Sequence, residues 1–360
     1  MKKSSEPENP KEFWNAYRPF LHGKTKQAND IIITENNVVI RDKRKIAELF
    51  NAHFIQIADG VPLMKETDYG RHFENHPSII AIHEKNKATH APLCFNFENI
   101  NQAQVERALL DVNVRKSCGH DMLSPRLVKE SASVIAKPIT NILNTSIEQG
   151  CYPNAWKMGQ VTPLFKKGDE SNKANYRPVT VLPVLNNIYE RLLAVQLGEF
   201  YSAILSDFIS SYRKFYKCET ALLRLTEDWR RMRDRGELVA IVSMDLSKAF
   251  DVIQHDLLLA KLKAYGVGEG SCALLKNYLS GIQQRVKIGD TFSNWAGTRR
   301  GVPQGSVLGP MFFNIFINDL FQHVKYLNAD ADDHQIYSSS LDPLALEECI
   351  CQEVNVANQW

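Results

Sequence analysis

The run ELVAIVSM, residues 237–244, constrains this chain more than any other stretch. It is continuously apolar and rich in β-branched side chains, the pattern of a buried strand, and it leads directly into Asp245. The segments after it alternate in kind. HDLLLAKLKAYG reads as a helix with Asp256 near its start and Gly266 at its end, and QRVKIGDTFSNW as a hairpin turning at Gly289 and Asp290. RRGVPQGSVLGP is a loop punctuated by Gly and Pro, and MFFNIFINDL is a helix with Phe312, Ile315 and Phe316 at helical spacing. KYLNA and HQIYSSS are two short strands around an acidic turn. Strands alternating with helices, with hairpins towards the end, predict an α+β sheet with helices on one face.

The acidic turn, NADADDHQIY, places Asp330, Asp332 and Asp333 within four positions. Like charges this close repel by roughly 1 kcal/mol per pair at ~4 Å in water. A solvated surface turn is one reading. The other is a metal site: phosphoryl transfer to a hydroxyl is served by two divalent cations held by hard oxygen ligands. Asp245 at a strand's end fits the first ligand position, and Asp332 and Asp333 at the tip of an adjacent hairpin fit the second. Alternation along a strand puts Asp330 and Asp332 on one face and Asp333 on the other, unless the tight turn reorients them.

At 360 residues and 44% hydrophobic content the chain is globular, with room for two or three domains' worth of core. It has no apolar run of about 18 residues that would span a membrane. Its start, MKKSSEPENPKEFW, lacks the apolar core of a secretory signal. Seven scattered cysteines suggest free thiols in a reducing compartment and no disulfide-linked partner. The expected location is therefore intracellular, in cytoplasm and nucleus, and not secreted. Residues 156–235 carry 14 Lys and Arg against 9 Asp and Glu, whereas residues 240–360 carry 9 against 13. A basic segment before an acidic one suits a polyanion held beside metal cations, although chance clustering on solvated faces gives the same counts.

Residues 1–105 read as a separate region. EFWNAYRPFL is expected to be helical, DIIITENNVVI to be a strand–turn–strand, and KRKIAELFNAHFIQIA to be a helix using Ile46, Leu49, Phe50, Phe54 and Ile57. The polar section that follows, to about Pro92, reads as a loop. NQAQVERALLDV opens a second block, in which SASVIAKPITNILNTSIEQG is a helix stopping at Gly150.

Several of these segments are familiar together. MDLSKAFDVIQHDLL, RRGVPQGSVLGPMFFNIFINDL and NADADDHQIY resemble, in order, the three palm motifs of reverse transcriptases from non-LTR, LINE-like (jockey-type) retrotransposons. VTPLFKKGDESNKANYRPVTVLPVLNNIYERLL resembles the preceding finger motifs, DMLSPRLVKESASVIAKPITNILNTSIEQGCYPNAWK the entry region, and FWNAYRPFLHGK with IAELFNAHFIQIA the connector before the polymerase. The resemblance implies a right-hand polymerase: a mostly helical connector at 1–105, fingers at about 106–235 and a palm of antiparallel sheet backed by helices at about 236–360. It further implies a C-terminal truncation with the thumb missing.

It also implies roles. Asp245, Asp332 and Asp333 would be catalytic and metal-binding, with the Leu246 carbonyl a further metal ligand. Phe250, five residues after Asp245, would be the bulky gate against a ribose 2′-hydroxyl, a core aromatic being the plain alternative. Gln304 and Gly305 would line the nucleotide and template, and Lys166, Lys167 and Arg177 would hold phosphates. Asp251 and Arg300 would be structural or make backbone contacts. The cofactor would be two Mg2+ ions, with Mn2+ as a substitute, and the partners an RNA template, a DNA primer and deoxynucleoside triphosphates. Where the family carries an aromatic this chain has Asp330, and it has Phe215 where glycine is usual. The implied function is RNA-directed DNA synthesis. Its alternative is a catalytically inactive, nucleic-acid-binding remnant of a decayed element.

Overall fold

The computed structural model describes residues 31–59, 61, 64–89, 94–246 and 248–360; EFWNAYRPFL lies outside them. Strands β1 (Ile33–Glu35) and β2 (Val38–Ile40) pair antiparallel around Asn36 and Asn37. Both asparagines take positive φ, 50° and 63°, the geometry of a two-residue hairpin that Asn tolerates better than most side chains. Helix α1 (Lys43–Gln56) begins where Asp42 Oδ1 accepts the Lys45 amide at 2.7 Å. Its Ile46, Ala47, Phe50 and Phe54 bury against Val161, Tyr176, Val286 and Ile288.

The polar stretch expected to be a loop is instead largely helical, because α2 (Pro77–Thr89) forms within it. Pro77 suits the first turn, where its missing N–H costs nothing. Ile79 and Ile82 then bury in the main core, so tertiary packing decides what weak periodicity did not reveal. Helix α3 (Gln102–Leu110) starts on a reciprocal Asn101–Gln104 capping box, and α4 (Ala132–Gln149) ends on left-handed Gly150.

Strands β3 (Met158–Phe165) and β4 (Tyr176–Val181) come next, then helices α5 (Val184–Ile204) and α6 (Cys218–Asp234) and strand β5 (Leu238–Asp245). Helices α7 (His255–Tyr265) and α8 (Glu269–Leu279) precede β6 (Gln283–Ile288), β7 (Thr291–Phe292) and β8 (Ala296–Gly297). Helix α9 (Leu308–Ile317), the hairpin β9 (Leu327–Asp330) and β10 (Asp333–Ser340), and helix α10 (Pro343–Gln359) follow.

Two sheets organise these elements. One runs β4-β3-β6-β7, with β8 also on β6, and its β3–β6 pair is parallel. The other is antiparallel, in the order β5-β10-β9. On one of its faces Ala240, Val242, Met244 and Ile336 meet Ile350 and Val354 of α10. On the other, Val239 and Tyr337 meet Leu225, Trp229 and Met232 of α6. Helices therefore back both faces rather than one. The run ELVAIVSM does form β5, but not as a buried strand: Leu238 is 49% exposed and Ile241 44%. Its residues are apolar on both sides because both sides meet helices, yet among the described residues it lies at the sheet's edge, where that cover is incomplete.

Three polar features tie the helices together. Lys261 on α7 donates to Asp319 Oδ1 and to the Phe316 carbonyl, each at 2.6 Å, with both charged side chains almost fully buried. Trp360 Nε1 donates to Asp319 Oδ2 at 2.6 Å. Burial pushes the Asp319 carboxyl up, but the Lys261 charge and the hydrogen bonds hold it below its ordinary range. Glu190 on α5, fully buried, accepts from Asn186 at 2.7 Å and Tyr278 at 2.9 Å, and caps the start of α9 through the amides of Val307 and Leu308.

Phe215, in the segment before α6, has φ 71° and is 83% exposed. A left-handed conformation costs a residue with a Cβ about 1–2 kcal/mol. Glycine's own entropy and the lost contact of Lys214 over the ring offset part of this. Phe215→Gly is therefore expected to stabilise the protein by about 0.5–1 kcal/mol, read as a higher urea midpoint at unchanged slope. An unchanged or lower midpoint contradicts the strain account.

Candidate active site

Ala331 and Asp332 form the two-residue turn between β9 and β10. Ala331 has φ 58°, uncommon for a side chain with a Cβ, and its N–H donates to Ser211 Oγ at 2.6 Å. The Ser210 N–H donates to the Ala329 carbonyl at 2.9 Å, and the Ala329 N–H to the Phe208 carbonyl at 3.0 Å. The segment between α5 and α6 thus clamps the hairpin from outside. From the other side, the Leu246 N–H donates to the Asp332 carbonyl at 2.9 Å and fastens the end of β5 to the turn.

This turn overrides strand alternation. Asp333 stands opposite Asp245 on β5 and opposite Asp330 on β9, so these three carboxylates form a row on the face covered by α6. Asp330 and Asp333 share a face, contrary to simple alternation, because the two-residue turn pairs the residues flanking it. Asp330 also accepts the Cys218 thiol at 3.0 Å, which pushes that thiol's pKa up. Asp332 sits in the turn itself. No three Asp, Glu, His or Cys side chains among the described residues converge on one point. The ion pairs found among the described residues leave out Asp245, Asp332 and Asp333. Carboxylate oxygens are the hard donors that Mg2+ and Mn2+ take, and here they are spread along the row and the turn rather than gathered at one point.

Beside the turn lies a cavity of about 570 Å³. Lys166, Arg177, Phe250, Gln304, Gly305 and Asp332 all line it, brought there from five separate segments. Lys167, Asp245, Leu246 and Asp333 are not among its lining residues. Lys166 follows β3, and Arg177 lies on β4, which pairs with β3. Phe250, just after β5, packs with its ring tilted against that of Phe313, centroids 4.8 Å apart. The Phe250 carbonyl accepts the Val302 amide at 2.9 Å, and the Gln304 carbonyl accepts the Thr180 amide at 2.8 Å. Gly305 has φ 132°, and a Cβ there would run into the Thr180 carbonyl, so this loop can lie on β4 only with glycine.

Among the other lining residues are His53, Tyr212 and Lys248, which sequence reasoning passed over, and Asp251, to which it gave only a structural role. Tyr212 and Lys248 take positive φ, 56° and 61°, and the Tyr212 ring stands edge-on to Phe250 at 6.0 Å. Burial raises the Tyr212 hydroxyl pKa, helped by Asp332 and Asp330, and lowers that of His53. Asp251 accepts from Gln304 Nε2 through both oxygens, and burial pushes its carboxyl up to about 6 against that bond and the Lys248 charge. Arg300 donates to the Ala58 and Val61 carbonyls, a backbone contact. Only the aromatic ring in ISSYRKFYK could have marked Tyr212; its backbone conformation leaves no trace in sequence.

Residues 165–359 match the reverse transcriptase (RNA-dependent DNA polymerase) family. The chain belongs to that family, in its non-LTR, LINE-like branch. A probable RNA-directed DNA polymerase from transposon BS of Drosophila melanogaster is 30% identical over 230 residues, 61% of this chain and 25% of the relative. The RNA-directed DNA polymerase from mobile element jockey of the same fly is 24% identical over 71% of this chain and 29% of its own length. A Pol polyprotein from type-1 retrotransposable element R2 of Popillia japonica is 27% identical over 50% of this chain and 25% of its own length. The chain therefore spans about a quarter of these relatives. The family uses divalent metal ions and a nucleic-acid template and primer. No helix among the described residues is long and apolar enough to cross a membrane.

Proposed function

We propose that this chain is an RNA-directed DNA polymerase domain, extending a DNA primer on an RNA template with deoxynucleoside triphosphates. In this reading residues 1–105 are the connector, about 106–235 the fingers and about 236–360 the palm. The observation that carries it is the single cavity joining Lys166, Arg177, Phe250, Gln304, Gly305 and Asp332 from distant parts of the chain. Lys166 and Arg177 bind the triphosphate, and Lys167, exposed beside them, meets the template backbone. Gln304 and Gly305 line the nucleotide, and Phe250 closes the side where a 2′-hydroxyl would stand. Asp245, Asp332 and Asp333, with the Leu246 carbonyl, hold two divalent cations. When bound, these ions lower the charge penalty on the attacking 3′-oxygen and the leaving pyrophosphate.

The test is Mg2+-dependent extension of a primer on RNA by the purified protein. The row formed by Asp330, Asp333 and Asp245 favours the second reading, an inactive nucleic-acid-binding remnant, since it adds a negative charge beside the proposed ligands. Binding of primer–template without extension supports that reading. In an active protein, Phe250→Val is expected to raise ribonucleotide use relative to deoxynucleotide use by about tenfold or more, the effect of opening space for one small group. An unchanged ratio makes Phe250 a core aromatic only.

A further inference from the structure

Asp251 is a half-buried carboxylate to which the proposed reaction assigns no task. It lies between two cavities, the one beside the acidic turn and a second of about 430 Å³ bordered by Gln283, Arg299 and Arg300. Asp251 and Gln304 line both, so together they form part of the wall between them. Gln304 Nε2 is 3.1 Å from Asp251 Oδ1 and 3.0 Å from Oδ2. The backbones on either side are fixed, through Val302 on Phe250 and Thr180 on Gln304. What remains free is the rotation of the Gln304 amide.

We propose that Asp251 is a positioning residue that orients the Gln304 amide so that its Oε1 faces the cavity as an acceptor for a sugar hydroxyl. This rests on the nucleotide reading of that cavity. An ionised carboxylate only accepts hydrogen bonds, whereas a primary amide has a donor end and an acceptor end. With Nε2 held on Asp251, the acceptor end is turned away from it. The opposite rotation would set Oε1 against a carboxylate and leave Asp251 without a donor in a partly dry site. Phe250 adjoins Asp251 in the chain and shares the cavity, so a sugar seated on Phe250 also meets Gln304. A deoxynucleotide has one sugar hydroxyl, the 3′-hydroxyl, and that is the donor this arrangement selects.

The experiment measures binding rather than turnover. The full chain is loaded with an RNA–DNA primer–template whose primer lacks its 3′-hydroxyl, and Kd is measured for thymidine triphosphate and its 3′-deoxy analogue with Mg2+. The parent is expected to prefer the 3′-hydroxyl form about fivefold, the weight of one neutral hydrogen bond. Asp251→Asn, whose amide can face Gln304 either way, should reduce that preference to near one while leaving the 3′-deoxy analogue's Kd within about twofold. Asp251→Glu, still an acceptor, should restore the preference. Equal weakening of both nucleotides in Asp251→Asn, or an undiminished preference, overturns the proposal and leaves the nucleotide reading standing. Failure of the parent to bind either nucleotide overturns both.

Discussion

Asp245→Asn is expected to reduce Mg2+-dependent primer extension by about 10³-fold or more, because metal ions supply several kcal/mol of transition-state stabilisation and each 1.36 kcal/mol is tenfold in rate. The fold should be untouched. Asp245 is exposed at the end of β5, and its nearest cross-strand neighbour is another carboxylate, Asp333. Removing one charge from the row relieves repulsion and disturbs no packing. The urea midpoint should therefore stay the same or rise slightly while extension disappears. Full extension by the variant would remove Asp245 from the metal site, and with it the palm assignment.

Lys261→Met is expected to cost about 3–5 kcal/mol of stability, since it leaves Asp319 charged in the core without its partner. That is a large part of the 5–15 kcal/mol typical of a domain. The rings of Phe316 and Trp360, 4.5 Å and 4.7 Å from the ammonium, lose their cation as well. Replacing both partners, Lys261→Met with Asp319→Leu, should recover most of the loss, because no charge is then stranded. Urea denaturation of parent, single and double variants reads this directly. A single-variant loss below about 1 kcal/mol would mean that water reaches the pair.

Local signals carried much of this molecule. The β-branched run of β5, the Gly289 hairpin and the stops at Gly150 and Gly266 each act within a few residues, so they can be read from neighbours alone. Helix α2 could not, since Ile79 and Ile82 gain their burial from residues far along the chain. The exposure of Leu238 and Ile241 was hidden too, because an edge strand and a central strand can share one composition. In the site, the motifs named Phe250, Gln304 and Asp332 as candidates, but His53 and Tyr212 have no motif beside them. The sharing of one face by Asp330 and Asp333 depends on a two-residue turn, a matter of backbone angles that composition does not record.

His53 and Ile57 belong to the segment of helix α1, and both line the cavity that also holds Arg177, Phe250 and Gln304. The site is therefore built partly by sequence more than a hundred residues ahead of its motifs. A chimera that keeps every motif but takes residues 31–59 from another member of the family would inherit the same reactive groups behind a different wall. Shuffled libraries should accordingly treat that helix and the motif region as one inheritable unit.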